Sequence, residues 1–369
     1  MSEFQVSKSN YVDCRIVNND LSNHTLLEGQ VLVKVDKFAL TANNITYAVV
    51  AEQIGYWQFF PPHADTANVS DDRSAWGVLP VWGFADVIKS NNADVPIGER
   101  LFGYFPPATH LLMHPTKISA TSWIDGSEHR TALPVGYNIY RKVESEPGYM
   151  KNHEDHRMLL YPLHITSFAL YDYFQNNNWF GASQLVMISA SSKTSTGLAY
   201  GVKNDVNAPS LVALTSARNM AMVESLGVYD TTLSYEQIAQ IDATKPTLIV
   251  DMSGNGQVLN DLHKHLGDNM QFCSNVGVTH WTKMKTGPDF IKARSEFFFA
   301  PSQLQKCIKE CTMEGFEQKS GKYLAHSFAK SREWLKMTGI EGLQGMADIY
   351  PDVCEGRIPP EAGLIISMP

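Results

Sequence analysis

Small hydroxyl side chains gather in the run Ser189-Ala-Ser-Ser-Lys-Thr-Ser-Thr-Gly197, directly after the apolar tetrad Leu185-Val-Met-Ile188. A turn between a buried strand and a helix holds anions through backbone N–H groups and the positive end of the helix dipole. In dinucleotide-binding proteins glycines usually make that turn tight. Here one glycine remains. Ser189, Ser191, Thr194, Ser195 and Thr196 offer O–H groups where bare main chain is usual, and Lys193 adds a positive charge. The same run reads equally as a Ser/Thr-rich helix N-cap. A second signal follows the next apolar run, Leu211-Val-Ala-Leu214. The acidic residue that accepts from the ribose 2′-hydroxyl of NAD is missing, and Thr215-Ser-Ala-Arg-Asn219 supplies Ser216 and Arg218 instead. A hydroxyl and a guanidinium suit the dianionic 2′-phosphate of NADP, because arginine makes forked, charge-assisted bonds to phosphate. The plainer alternative is a surface arginine at a helix start. Ser253 and Gly254, then Asn275 and Gly277, follow two further apolar runs. They fall at the carboxyl ends of strands, where ligands of open α/β sheets lie.

The elements that must position these residues are legible in outline. From about Tyr161, short apolar runs alternate with helix-length segments, the texture of strands buried on both faces and their crossover helices. Strands are expected at Leu185–Ile188, Leu211–Leu214, Thr247–Val250 and Met270–Cys273. Helices are expected at about Thr194–Lys203, Met220–Leu226 and Val258–Leu266, followed by a long helical region, about Ser302–Met346. The first part, to about residue 150, alternates with period two, as in Val31, Val33 and Val35, and reads as mostly β with a short helix over Asn44–Ile54. The aromatic-rich stretch Gly55–Leu79 is too long for a passive connection and is a candidate wall or lid. The terminal Gly363–Ser367 is strand-like and could return to the first part.

Composition excludes several classes. Thirty Lys and Arg against 38 Asp and Glu leave a net charge of −8, with no basic block to neutralise a phosphate backbone, so no nucleic-acid partner is expected. No window of about 18 apolar residues could span a bilayer, and the polar start lacks a secretory signal, so no membrane association and a cytoplasmic location are expected. Five scattered cysteines argue for reduced thiols. Lys193-Thr194 lacks the complete glycine framework of a phosphate-binding kinase loop, and no Gly-x-Ser-x-Gly elbow of a serine hydrolase occurs.

Several segments together resemble, in order, the landmarks of the medium-chain dehydrogenase/reductase superfamily. These are Gly29–Val35, Pro96–Gly103, Val186–Gly197, Thr215–Gly227 followed by Asp230, and Leu248–Asp251; the stretch Ser216–Asp230 is the most specific. The resemblance implies an α/β protein with a GroES-like, mostly-β catalytic domain and a Rossmann domain, a doubly wound parallel sheet that binds NADP(H). The expected division is residues 1–160, rejoined by about 340–369, and 161–339, with the active site in the cleft between. The early Cys, the Gly-His-Glu motif and the lobe of four Cys found in zinc alcohol dehydrogenases of this superfamily are absent, so no metal site is expected. The pairs His110 and His114, His153 and His156, and His263 and His265 read as solvated or locally bonded histidines. The resemblance is to the zinc-free quinone and enoyl reductase branch, in a divergent subfamily.

That resemblance also implies site residues. Thr41–Tyr47 is similar to the family region that meets nicotinamide and substrate, which makes Tyr47 and Asn44 candidates at the reacting centre, with Tyr56 next; packing of a helix is the alternative for all three. Thr166 looks like the threonine close to the nicotinamide ribose, and His164 beside it is a proton relay or, more simply, a structural histidine. Trp57, Phe59, Phe60, Trp76, Trp82 and Trp281 could line a cleft for a small hydrophobic or planar substrate, or belong to the core. Family members often pair, so a homodimer enters as an expectation from the resemblance alone. Two functions follow: an NADPH-dependent, zinc-independent reductase of activated alkenes, quinones or related carbonyl compounds, and a catalytically weak or inactive NADP(H)-binding sensor or scaffold.

Overall fold

The computed structural model describes every residue except 19–20, 22–23, 67–71 and 277–286. The chain forms two compact units, residues 1–159 with 336–369, and 160–335. Among the described residues no helix is long and apolar enough to cross a membrane.

The first unit is built on antiparallel strands. β1 (Val31–Leu40) leads into helix α1 (Ala42–Ile54), and β1 pairs with β2 (Val81–Ser90), which pairs with β3 (Arg100–Phe105). The apolar alternation of β1 buries Val31, Val33 and Val35, and the register shifts between Val35 and Lys37, where a bulge turns the strand. Gly83 of β2 crosses that bulge so closely that a Cβ would stand 2.4 Å from the Lys37 carbonyl oxygen. β3 continues to the short strands Ile139–Lys142, Ser122–Asp125 and Pro115–Thr116, and His110–Met113 pairs with β1. The N-terminal Ser2–Ser7 pairs with Cys14–Asn18 and Trp76–Gly77 in a separate sheet.

Helix α2 (Glu154–Asn176) carries the chain out of this unit. Its first residue is fixed by charge: Arg100 of β3, 6% exposed, reaches Glu154 with Nε–Oε1 and Nη2–Oε2 contacts of 2.7 Å each, and also Asp86 and Asp36. Burial alone would push the Glu154 carboxyl up, but the bonds from Arg100 and Tyr149 hold it below its ordinary value.

The second unit is a six-stranded parallel sheet. In chain order its elements are β4 (Gln184–Ile188), α3 (Lys193–Lys203), β5 (Ser210–Thr215), α4 (Met220–Ser225), β6 (Thr231–Ser234), β7 (Thr247–Asp251), α5 (Gly256–Leu266), β8 (Met270–Val276), β9 (Ser295–Phe298) and α6 (Ala300–Arg332). The strand order is β6-β5-β4-β7-β8-β9, all parallel, the doubly wound arrangement. β4 and β7 are buried throughout, which explains their uninterrupted apolar runs. One core face joins Leu185, Met187 and Leu248 to α2 and α3; the other joins Val186, Ile188 and Ile249 to α5.

The chain then returns to the first unit through β10 (Lys336–Glu341), α7 (Gly342–Cys354) and β11 (Ala362–Ser367). β11 pairs antiparallel with β1, so that Leu364 faces Leu40 and Ser367 faces Lys37, and β10 adds in parallel outside it. The long helix expected over 302–346 therefore ends at Arg332 and gives way to a strand. That strand lies at a sheet edge and is largely exposed, so its residues carry no apolar alternation from which to read it.

Candidate functional site

The residues after β4 stand at the switch point of the parallel sheet. From β4 the chain steps outward to β5 and β6, then crosses to β7 on the other side, so β4 and β7 leave between their carboxyl ends the crevice where open α/β sheets take ligands. Ile188 lies level with Leu214 of β5 and Asp251 of β7. Ser189 follows with φ of 64°, a left-handed backbone that costs a residue with a Cβ about 1 kcal/mol or more. Neighbours hold the turn in place. Tyr229 Oη donates to the Ala190 carbonyl at 2.8 Å, Tyr235 interacts with Ser189, and Ser192 N donates to Ser189 O at 2.9 Å.

The cap of α3 is Ser192, a residue that sequence reasoning passed over. Its Oγ accepts from Ser195 N at 3.1 Å and donates to Ser195 Oγ at 2.9 Å. The Ser-x-x-Ser spacing was the available signal. The turn after β4 thus carries a helix cap. Ser195 and Thr196 are fully buried, and Thr196 Oγ1 donates to Lys193 O at 2.9 Å, so both hydroxyls are used inside the helix. Ser191 is directed toward β5: it accepts from Asn219 Nδ2 at 3.0 Å and from Thr215 Oγ1 at 3.4 Å. Lys193 and Thr194, in the first turn, are half-buried.

Gly197 is the glycine the run retains, and its role is contact. A Cβ there would stand 2.7 Å from both His164 Cδ2 and Ser167 Oγ of α2. Ser167 Oγ donates to Thr194 O at 2.7 Å, and Tyr323 of α6 donates to Gly197 O at 2.7 Å, so two helices grip the first turns of α3. His164 is fully buried with Nδ1 2.9 Å from Ser327 Oγ, and burial lowers its pKa to about 3. It is neutral at physiological pH and serves as packing. Thr166, beside Ser167, donates Oγ1 to Pro162 O at 3.0 Å.

The other expected residues of this half fall along the same carboxyl edge. Ser216 follows β5, and its Oγ is buried with no hydrogen-bond partner, an unused polar atom in the place expected for a 2′-phosphate contact. Arg218 sits two residues on, exposed, in the 3₁₀ turn Ala217–Asn219. Ser253 Oγ donates to Asp251 Oδ1 at 2.7 Å, and Gly254 takes φ of 64°. Burial raises the Asp251 carboxyl, opposed by the bonds from Ser253. Asn275 is buried and donates Nδ2 to Glu296 O at 3.1 Å, which turns its amide toward β9. Gly277 and Trp281 lie outside the described residues.

In the first unit, Asn44 is a structural group. Its Oδ1 accepts from Thr41 N at 2.8 Å, closing a capping box on α1, and its Nδ2 donates to Pro80 O at 2.8 Å. Tyr47, one turn on, lies against Tyr56 with ring centroids 4.6 Å apart, and its hydroxyl is flanked by Trp82, Asn43 and Tyr104. Tyr56 Oη is 2.9 Å from Tyr137 Oη. Burial raises the pKa of all four tyrosines, so they are neutral hydroxyl groups around neutral pH. Trp57, Phe59, Phe60 and Trp82 are buried, and Trp57 fills the space a Cβ of Gly77 would need. These four are core residues, and Trp76 is half-buried. Sequence reasoning missed Tyr104 and Tyr137, which only the sheet brings to Tyr47 and Tyr56.

The fold recurs in solved structures. CurA of Vibrio vulnificus, in a complex with NADPH, superposes with a TM-score of 0.62 at 11% identity, over 100% of this chain and 99% of that one. A mutant enoyl thioester reductase of Candida tropicalis gives 0.55 at 12% identity, over 99% of each chain. The yhdH oxidoreductase of Salmonella enterica, in complex with NADP, gives 0.53 at 12% identity, over 100% of each. At these identities the likeness is one of fold: a GroES-like unit and a Rossmann unit, as in medium-chain dehydrogenases/reductases. No curated protein matches the sequence. Over residues 38–359 it matches the family described as "Protein of unknown function (DUF2855)", and the chain belongs to that family.

Proposed function

We propose that this protein is an NADPH-dependent, zinc-independent reductase that delivers hydride to an activated alkene, quinone or related carbonyl compound. The observation that carries the reading is the carboxyl edge of β4 and β5. There a left-handed Ser189, the capped start of α3 and the unpartnered Ser216 hydroxyl gather donors in one crevice, with Arg218 beside them. These residues fit the cofactor. Ser216 and Arg218 would hold the 2′-phosphate; Ser189, Lys193 and Thr194 with the N-terminus of α3 would hold the pyrophosphate; Thr166, whose hydroxyl proton goes to Pro162 O, would offer the ribose only its lone pairs. Asn44, Ser195, Thr196 and Asn275 are left with positioning roles, because their side chains are committed within the protein.

When bound, NADPH supplies the hydride. The chain's own work is to orient the acceptor, exclude water and return a proton. Tyr47 and Tyr56 are the groups we assign to the acceptor side, since a neutral buried phenol can donate to a developing oxyanion. The supporting likeness is to proteins whose structures hold NADPH or NADP, and one, Etr1p, crotonyl-CoA as well. A cytoplasmic, homodimeric protein acting on a small planar substrate accords with this reading.

A second reading, an NADP(H)-binding sensor without turnover, is favoured by one feature: Ser191 and Ser195 place hydroxyls where glycines would leave open backbone. One experiment separates the two. Purified protein is titrated with NADPH by calorimetry, then mixed with NADPH and a panel of enones, quinones and enoyl thioesters while absorbance is followed. Consumption supports the reductase; tight binding without consumption supports the sensor; absence of binding refutes both.

A further inference from the structure

Beyond the paired length of β4 and β5, the two chains stay joined. Ala190 N donates to Leu214 O at 3.2 Å, one step past the strand, and from there the link passes to side chains. Ser191, 6% exposed, accepts from Asn219 Nδ2 at 3.0 Å and from Thr215 Oγ1 at 3.4 Å. Thr215 ends β5, and Asn219 closes the 3₁₀ turn Ala217–Asn219, its own N donating to Ser216 O at 2.9 Å. One hydroxyl of the turn after β4 therefore holds both ends of the segment 215–219, which carries Ser216 and Arg218. Resting on the NADP(H) reading, we propose that Ser191 and Asn219 are positioning residues for cofactor selection: their bond sets the turn bearing Ser216 and Arg218 against the turn assigned to the pyrophosphate, and so favours NADPH over NADH.

The two ends of this tie differ in firmness. On the β4 side, Tyr229 Oη donates to Ala190 O at 2.8 Å and Ser192 caps α3, so Ser191 is a fixed acceptor. On the β5 side, Ala217 and Arg218 are exposed, Ser216 Oγ makes no hydrogen bond, and a 3₁₀ turn is held by poorer hydrogen-bond geometry than an α-helix. The link from that turn to Ser191 falls to Asn219, which is half-buried between them.

A ligand that carries a 2′-phosphate and a pyrophosphate on one ribose meets both turns at once, and any freedom between them is lost on binding. Holding the turns together beforehand removes that cost for NADPH. NADH lacks the 2′-phosphate and gains little from a fixed Arg218. The tie also gives Ser191 a role that glycine cannot fill. Glycine would leave open backbone for phosphate but would accept neither side-chain bond, so the serine exchanges backbone access for a lateral link between two anion-facing turns.

The test titrates NADPH and NADH by calorimetry into Asn219→Ala, Ser191→Gly and the double variant. Loss of one neutral hydrogen bond corresponds to about 2- to 10-fold in a binding constant. NADPH should weaken by that factor in each single variant while NADH changes by less than about twofold, and the double variant should bind NADPH no more weakly than Ser191→Gly, because both changes break the same bond. A merely structural role would weaken both dinucleotides alike. Ser191→Gly is the sharper arm, since open backbone by itself would tighten both. NADPH binding unchanged or tightened in Ser191→Gly, equal weakening of the two dinucleotides, or losses that multiply in the double variant would overturn the proposal. A second readout needs no ligand. In the free ¹⁵N-labelled protein, Ser191→Ala should shift the Asn219 side-chain amide resonance and speed its exchange with water, and an unchanged signal overturns the proposal by itself. If that coupling is present while the wild-type protein binds neither dinucleotide, the tie between the turns stands and its part in selection falls together with the NADP(H) reading.

Discussion

Replacing Ser216 by alanine should move two quantities in opposite directions. In the free protein the Ser216 Oγ is buried and makes no hydrogen bond. An unsatisfied buried polar group costs about 1–3 kcal/mol, so removing it should leave the protein as stable or up to about 1 kcal/mol more stable. In the complex the same hydroxyl is expected to donate to the 2′-phosphate, and a hydrogen bond to a charged group contributes about 1.5–3 kcal/mol. At about 1.4 kcal/mol per tenfold, NADPH should bind about 10- to 100-fold more weakly, while NADH, which lacks that phosphate, should change little. Urea unfolding of the free protein gives the first quantity, and calorimetric titration with each dinucleotide gives the second. A Ser216→Ala protein that is destabilised by more than about 1 kcal/mol yet binds NADPH unchanged would refute the reasoning, because the hydroxyl would then be a structural group.

Further outcomes follow from the same geometry. Arg218→Ala should weaken NADPH by about 10- to 100-fold and leave NADH nearly unaffected, since the lost bonds are charge-assisted; equal weakening of both contradicts the assignment. The pKa of His164 falls from 6.5 unfolded to about 3 folded, so its contribution is complete above pH 6.5 and is lost as pH falls toward 3. Between those limits wild type should lose up to about 1.4 kcal/mol per pH unit more than His164→Asn, which urea midpoints at pH 5, 6 and 7 will measure. Gly197→Ala should destabilise by about 1–3 kcal/mol, because its Cβ meets His164 and Ser167 at 2.7 Å; Gly321→Ala, with nothing within 4 Å in α6, should stabilise by up to about 1 kcal/mol in the same assay.

The parallel sheet was legible where strands are buried on both faces. β4, β5 and β7 are built on continuous apolar runs and β8 on a mixed one, and their observed limits extend the expected ones by three residues or fewer at each end. β6 and β9 were not seen, since each is a four-residue strand at a sheet edge with mixed burial, where pairing does not require apolar side chains. The turn between β4 and α3 was legible as a location, but the direction of each hydroxyl was not. Ser195 and Thr196 turn inward because a helix start must first satisfy its own donors. Tyr137 was invisible because it lies 81 residues from Tyr56, and antiparallel pairing, not spacing along the chain, brings them together.

The discontinuity of the first unit carries a consequence for biosynthesis. The edge of β1 from Lys37 to Leu40 receives its hydrogen bonds from β11, and every residue of the second unit is translated between them. A nascent chain therefore displays an open strand edge throughout that interval, while the parallel sheet, encoded without interruption, can close on itself. The ribosome thus delivers a finished parallel-sheet body before the β-rich body can be sealed. A chaperone acting on this chain would meet its hazard at the older half.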